Sequence, residues 1–123
     1  MRVMRKTVAP RPTDAELEIL GVLWQRGPST VRDVHNVLGQ TKQTGYTTIL
    51  KLMQIMTEKG LVRRNEDQRA HVYEAWAPQD QTQKQLVRDL VDRAFNGSAT
   101  KLVMQALSAR KASAKELAQI WFC

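Results

Sequence analysis

Apolar positions along the chain fall into six segments, and their spacing changes period partway through. Leu17, Leu20, Leu23 and Trp24 recur at i, i+3, i+6 and i+7, which places them on one face of a helix. Just ahead of them, Thr13-Asp14-Ala15-Glu16 is a capping box, in which the Thr13 hydroxyl and the Glu16 carboxylate each accept from an orphan backbone N–H. Gly27-Pro28 stops this first helix. Thr30 and Asp33 repeat the capping logic with Asp in place of Glu, and Val31, Val34, Val37 and Leu38 form a second stripe that ends at Gly39. After a polar link a third helix is predicted from about Thr44, carrying Ile49, Leu52, Met53 and Met56 at i, i+3, i+4 and i+7 before Gly60 ends it. Its other face reads Thr47, Thr48, Lys51, Gln54 and Glu58, small or polar groups able to hydrogen-bond.

The period then shortens. Two β-prone runs, residues 61–65 and 69–76, flank Glu66-Asp67-Gln68, the pattern of a hairpin with a polar tip that Pro78 closes. From Gln79 the helical period returns. Leu86, Val87, Leu90, Val91, Ala94 and Phe95 make an apolar band too wide for an isolated surface helix, so this segment requires a partner. Gly97-Ser98 breaks it, a short segment with Leu102, Val103, Ala106 and Leu107 follows, and Ser113 with Glu116 caps a last helix carrying Leu117, Ile120 and Trp121. Trp24, Met53, Met56 and Trp76 are all expected in the core.

Composition narrows the function classes. Nineteen Lys and Arg against 12 Asp and Glu leave a net charge of +7 on 123 residues, an excess that attracts phosphate, anionic membranes or acidic proteins without choosing among them. No apolar run approaches the roughly 18 residues of a membrane span, and residues 17–24 are interrupted by Glu18 and Gly21, so no membrane partner is expected. A single cysteine, Cys123, points to a reducing compartment, and the cytoplasm is the expected location. His35 and His71 have no Cys or second His at ligand spacing and no nucleophile with an orienting carboxylate beside them. Neither a metal, a cofactor nor a catalytic residue is therefore expected, and the protein is read as not an enzyme.

Helix, short helix, turn, helix and basic hairpin is the element order of a winged helix-turn-helix, whose second motif helix enters the major groove of DNA. The expected fold is thus mainly α with a small β-hairpin wing. A flexible basic arm (residues 1–12) precedes a winged helix-turn-helix domain (13–77) and a helical dimerisation domain (78–123). Thr44, Tyr46, Thr47, Thr48 and Lys51 near the start of the third helix are the expected base readers. Arg63, Arg64, Arg69 and His71 on the hairpin are the expected phosphate contacts. Arg63 and Arg64 have a plainer alternative role as edge-strand charges that block aggregation. Leu86, Val87, Leu90, Val91, Ala94, Phe95, Leu102, Val103 and Leu107 are the expected dimer contacts. The partners are double-stranded operator DNA and a second copy of the chain. Two rival readings are a winged helix used as a protein-interaction module, and a small basic RNA-binding protein. The first lacks an apolar or acidic exposed face on the third helix; the second lacks stacking aromatics and a recognisable RNA-binding strand motif.

At several of these residues the chain resembles the penicillinase repressors. The likeness runs from about Thr13 to Ile120 and is carried by Glu16-Leu17-Glu18-Ile19-Leu20 with Leu23-Trp24, Tyr46-Thr47-Thr48-Ile49 with Leu52-Met53, Glu58-Lys59-Gly60-Leu61-Val62, and Val72-Tyr73. The resemblance implies an N-terminal winged helix, a C-terminal helical dimerisation domain, and repression of an operon, of a β-lactamase or a stress response, through a dyad-symmetric operator. It also implies release either by proteolysis that a membrane sensor triggers, with an inducing protease as a further partner, or by metal binding to paired C-terminal cysteines. This chain departs from the second pattern, having no Cys-x-Cys. Where the family's cleaved Asn-Phe bond would fall it has Gln105-Ala106, and it ends on the apolar Trp121-Phe122-Cys123.

Overall fold

The computed structural model describes residues 11–40, 43–109 and Gln119. Among these the order is α1 (Asp14–Arg26), α2 (Val31–Leu38), α3 (Tyr46–Lys59), β1 (Val62–Asn65), β2 (Val72–Ala75), α4 (Gln79–Ala94) and α5 (Ala99–Ala109). The basic arm and the last helix expected after Ser113 lie outside the described residues, apart from Arg11, Pro12 and Gln119. Contacts divide the chain into two compact units, with the division inside α4 between Gln83 and Lys84.

Both capping boxes form as their sequences require. The Thr13 hydroxyl accepts from the Glu16 N–H at 3.2 Å and Glu16 accepts from the Thr13 N–H at 2.9 Å. At α2 the reciprocal distances between Thr30 and Asp33 are 3.1 and 3.0 Å. The third helix starts two residues later than expected, at Tyr46, with Gly45 as its N-cap and no side-chain cap. Its C-terminal stop is Gly60 in the left-handed region at φ 82°, a conformation that costs glycine nothing for want of a Cβ. The Leu61 N–H then reaches back to the Met56 carbonyl at 2.9 Å and turns the chain into β1.

One apolar cluster holds the first unit together. Ile19, Leu20, Val22 and Leu23 from α1, Val31 and Val34 from α2, Ile49, Met53 and Met56 from α3, and Leu61, Val62 and Tyr73 from the hairpin are all buried in it. Met53 and Met56 are core as expected, and Trp24 packs partly buried against the cluster while its indole N–H donates to the Ala77 carbonyl at 2.9 Å. Trp76 is not core. It is 59% exposed and lies just past β2, where Arg63 stands over its ring 4.7 Å from the centroid. The alternation of the strand is the reason: Tyr73 and Ala75 take the inward face, so Glu74 and Trp76 point outward.

The hairpin is antiparallel with Val62 opposite Ala75, Arg63 opposite Glu74, Arg64 opposite Tyr73 and Asn65 opposite Val72. Its strands are shorter than expected and its tip longer, so Arg69 and His71 stand in the loop between strands. Ser29, in the turn between α1 and α2, adds a third-strand bridge: its N–H donates to the Tyr73 carbonyl at 2.8 Å and its carbonyl accepts from the Tyr73 N–H at 2.7 Å. A single bridging residue has no period, and for that reason it left no signal in the sequence.

Glu16 is buried at 2% exposure, and Lys59 at the end of α3 reaches both its carboxylate oxygens, at 2.9 and 3.0 Å. Burial pushes this carboxyl up, but the Thr13 N–H, the Lys59 ammonium and the Thr13 hydroxyl together outweigh it, and the group sits below its ordinary value. Its folded pKa being depressed, the pair stabilises the fold above the ordinary carboxylate range and loses that contribution as pH falls through the folded value. Lys59→Met leaves the carboxylate buried without its cation and should cost about 2 kcal/mol at neutral pH, below the full buried-pair range because Lys59 is partly solvated. Denaturant unfolding at several pH values checks it: the gap between wild type and variant narrows as pH falls through the depressed folded value of Glu16 and the carboxylate becomes protonated. By the same measurement Trp76→Ala should cost no more than about 1 kcal/mol, the size of an exposed cation–π contact. A core tryptophan would cost about 3–5 kcal/mol.

Candidate nucleic-acid interface

The exposed face of α3 follows from how the helix is buried. Ile49, Met53 and Met56 are wholly covered, and a helix that sinks one stripe presents the opposite one to solvent. Thr47, Thr48, Lys51, Gln54 and Glu58 are all exposed there, as the periodicity predicts. Thr44 is half-buried ahead of the helix, and Tyr46 is 41% exposed at its first turn. The Tyr46 ring meets His35 edge-on at 5.9 Å between centroids, and the Arg32 guanidinium stands over it at 5.6 Å. Two residues of α2 thus hold a side chain of α3. Periodicity assigns His35 no partner and Arg32 no role, because contacts between helices carry no local pattern.

The four basic residues assigned to the hairpin do not form one cluster. Arg63 and Arg64 are adjacent in a strand and so point to opposite faces. On the outward face Arg63 donates to Glu74 at 2.6 and 3.1 Å. Arg64 lies across from the buried Tyr73 and donates to Glu66 at 2.7 Å. Hydrogen bonds to Tyr73 and then Glu66 raise its pKa further, so it stays charged throughout. Both arginines are therefore matched with carboxylates in the chain by itself. Arg69 and His71 are exposed on the loop, in no hydrogen bond or ion pair among the described residues.

Arg69 and His71 face a cleft of about 430 Å³ whose other walls are Arg32, Tyr46, Leu50 and Tyr73. The start of α2, the start of α3 and the wing loop thus meet around one basic depression beside the exposed threonines. Backbone hydrogen bonds between Ser29 and Tyr73 fix the wing to the turn that leads into α2. Arg26 reinforces that turn, donating to the Ser29 hydroxyl at 2.8 Å and lying 3.4 Å from Asp33. The Thr30 N–H draws the Asp33 carboxyl below its ordinary value, with the Thr30 hydroxyl and Arg26 adding to it against a small desolvation.

In the second unit the expected dimer residues separate by exposure. Val87, Leu90 and Val103 are exposed at 47%, 48% and 43%, and Ala94 is exposed as well. Leu86, Phe95, Leu102 and Leu107 are half-buried. Val91 is 8% exposed within its own chain. Met104 on α5, outside the expected set, is 62% exposed. Gln105 and Ala106 are exposed but lie inside α5. Among the described residues no helix is long and apolar enough to cross a membrane, and no three His, Cys, Asp or Glu side chains are grouped as a metal ion would need.

Known proteins share this arrangement. Two proteins of Mycobacterium tuberculosis strains, each called transcriptional regulator BlaI, are 39% identical over 61 residues, covering 49% of this chain. The match spans 44% of their own length, less than half. The penicillinase repressor of Bacillus licheniformis is 22% identical over 112 residues, 91% of this chain and 88% of that protein. Among solved structures, the DNA-binding domain of the repressor BlaI superposes with a TM-score of 0.54 at 24% identity, over 62% of this chain and 93% of that one. That likeness shows the winged-helix fold. The sequence pattern of the penicillinase repressors matches residues 12–121, through both compact units, and the chain belongs to the penicillinase repressor family.

Proposed function

We propose that the chain is a DNA-binding transcriptional repressor that acts as a homodimer on a dyad-symmetric operator. The observation that carries this reading is the two-faced α3, with Ile49, Met53 and Met56 fully covered and Thr47, Thr48, Lys51 and Gln54 bare beside a basic wing loop. Relatives named as a transcriptional regulator, a penicillinase repressor and the DNA-binding domain of a repressor support it. Thr44, Thr47, Thr48 and Lys51 meet base edges or adjacent phosphates, and Tyr46 walls the groove side of α3. Arg69 and His71 reach the backbone directly, whereas Arg63 and Arg64 must first exchange Glu74 and Glu66 for phosphate.

In this reading the second unit supplies the pairing, since Val87, Leu90, Val103 and Met104 leave apolar area open to water that a second copy would cover. An isologous dimer sets two reading helices roughly 34–36 Å apart, one turn of DNA, which matches an operator with a dyad. The regulated operon is that of a β-lactamase or of a stress response, and the protein acts in the cytoplasm. Release by an inducing protease would separate the DNA-binding part from the pairing helices and forfeit the linked-pair gain of about 10²–10⁴ in affinity. A cut at Gln105-Ala106 would first require α5 to unwind locally.

Titration with a random duplex and with the DNA upstream of the protein's own gene, at two salt concentrations, tests the reading. Operator binding should exceed random binding by at least about 10³, and equal affinities at both salts would leave only electrostatic attraction. Thr48→Ala should relax discrimination at one operator position by about 1–3 kcal/mol while leaving random-duplex binding unchanged. Leu90→Asp should yield monomers in sedimentation and much weaker operator binding; a variant that stays dimeric places the interface elsewhere.

A further inference from the structure

We infer that the cleft between the start of α2, the start of α3 and the wing loop is the seat of a single DNA backbone phosphate, gripped jointly by Arg32 and Arg69. This rests on the DNA-binding reading above and adds to it a second arginine, from a different element, acting on the same phosphate. The arginines of the winged-helix part sort by partner. Arg26 is matched with Asp33, Arg63 with Glu74 and Arg64 with Glu66, each by a contact of 3.4 Å or less. Arg32 and Arg69 have no carboxylate partner among the described residues, and both line this one cleft. No Asp or Glu lines it with them; His71 and the Tyr46 and Tyr73 rings complete the polar and aromatic walls.

Placement favours a phosphate over a base. Arg32 is the second residue of α2 and is held against the Tyr46 ring at 5.6 Å, which limits how far its guanidinium can swing toward the exposed threonines of α3. Arg69 comes from a wing loop tied to the same turn by the paired hydrogen bonds between Ser29 and Tyr73. Two guanidinium forks from separate elements that line one cleft suit a tetrahedral anion with several acceptor oxygens. A base edge offers one planar pair of acceptors and is read by a single fork.

The test is the salt dependence of binding of the full chain to a random-sequence duplex, for wild type, Arg32→Ala, Arg69→Ala, the double variant, and Arg93→Ala as a control. Each phosphate neutralised contributes about 0.9 to the slope of log K against log salt. If Arg32 and Arg69 share one phosphate, each single variant lowers the slope by less than about 1 and the double variant by about 1 in total. Arg93→Ala, whose arginine is matched by Asp89 on α4 outside the winged-helix part, changes it less than the double variant does. A fall of about 2 in the double variant means two separate phosphates and overturns the shared site, as does an unchanged slope with wild-type binding intact. A wild type that binds no duplex overturns the DNA-binding reading itself, a different result from either. Thermal unfolding of the variants guards against loss of fold, and a duplex carrying neutral methylphosphonates throughout one strand gives a second readout. The difference between wild type and double variant should shrink when the modified strand is the one gripped, and persistence of the full difference with either strand modified overturns the proposal.

Discussion

The covering of one stripe of α3 is the constraint on which the rest of the molecule depends. Ile49, Met53 and Met56 are fully buried, and each methionine or isoleucine removed from water contributes about 1.5–3 kcal/mol. Because a helix has only one circumference, seating that stripe between α1, α2 and the hairpin fixes the opposite stripe toward solvent. The exposed stripe and the stability of the core are therefore two sides of one helix. A substitution on the covered side would disturb the exposed threonines as surely as it would weaken the core.

Around that helix the polar contacts act mainly as positioning devices. The Lys59–Glu16 pair joins the end of α3 to the start of α1, and the Thr13 capping box uses the same carboxylate, so Glu16 serves two elements at once. Ser29 and Tyr73 connect the α1–α2 turn to the wing through two short backbone hydrogen bonds. Tyr73 is fully buried while its strand neighbours face outward, and together with buried Leu61 and Val62 and the Ser29 bridge it anchors the wing. These ties set where the loop bearing Arg69 and His71 stands relative to α3.

Charge in the wing illustrates why a count of basic residues is a poor guide to a binding surface. Arg63, Arg64, Arg69 and His71 are close in sequence, but strand alternation sends Arg63 and Arg64 to opposite faces and each meets a carboxylate. Exposed ion pairs of this kind are worth little to stability. Their effect is on availability: an arginine that already holds a glutamate must give it up before it can hold a phosphate. The loop arginine carries no such obligation.

Local rules determined the secondary structure of this chain, and they act over spans of four to seven residues that a sequence displays directly. Both capping boxes, the stop at Gly60, the stripe of α3 and the existence of the hairpin were legible for that reason, and so was the exposed face of Thr47, Thr48 and Lys51. What only the tertiary structure decided are the contacts made across long stretches of chain. Lys59 found Glu16 from 43 positions away, Trp24 found Ala77 from 53, and Ser29 joined the sheet without any strand around it. Arg32 and His35 closed on Tyr46, Trp76 was left in solvent by the inward turn of Tyr73, and Val91 was covered while Val87 and Leu90 stayed open. Periodicity states which face of an element is apolar. Which partner that face meets, and which of its residues remain uncovered, depends on the packing of all the elements together.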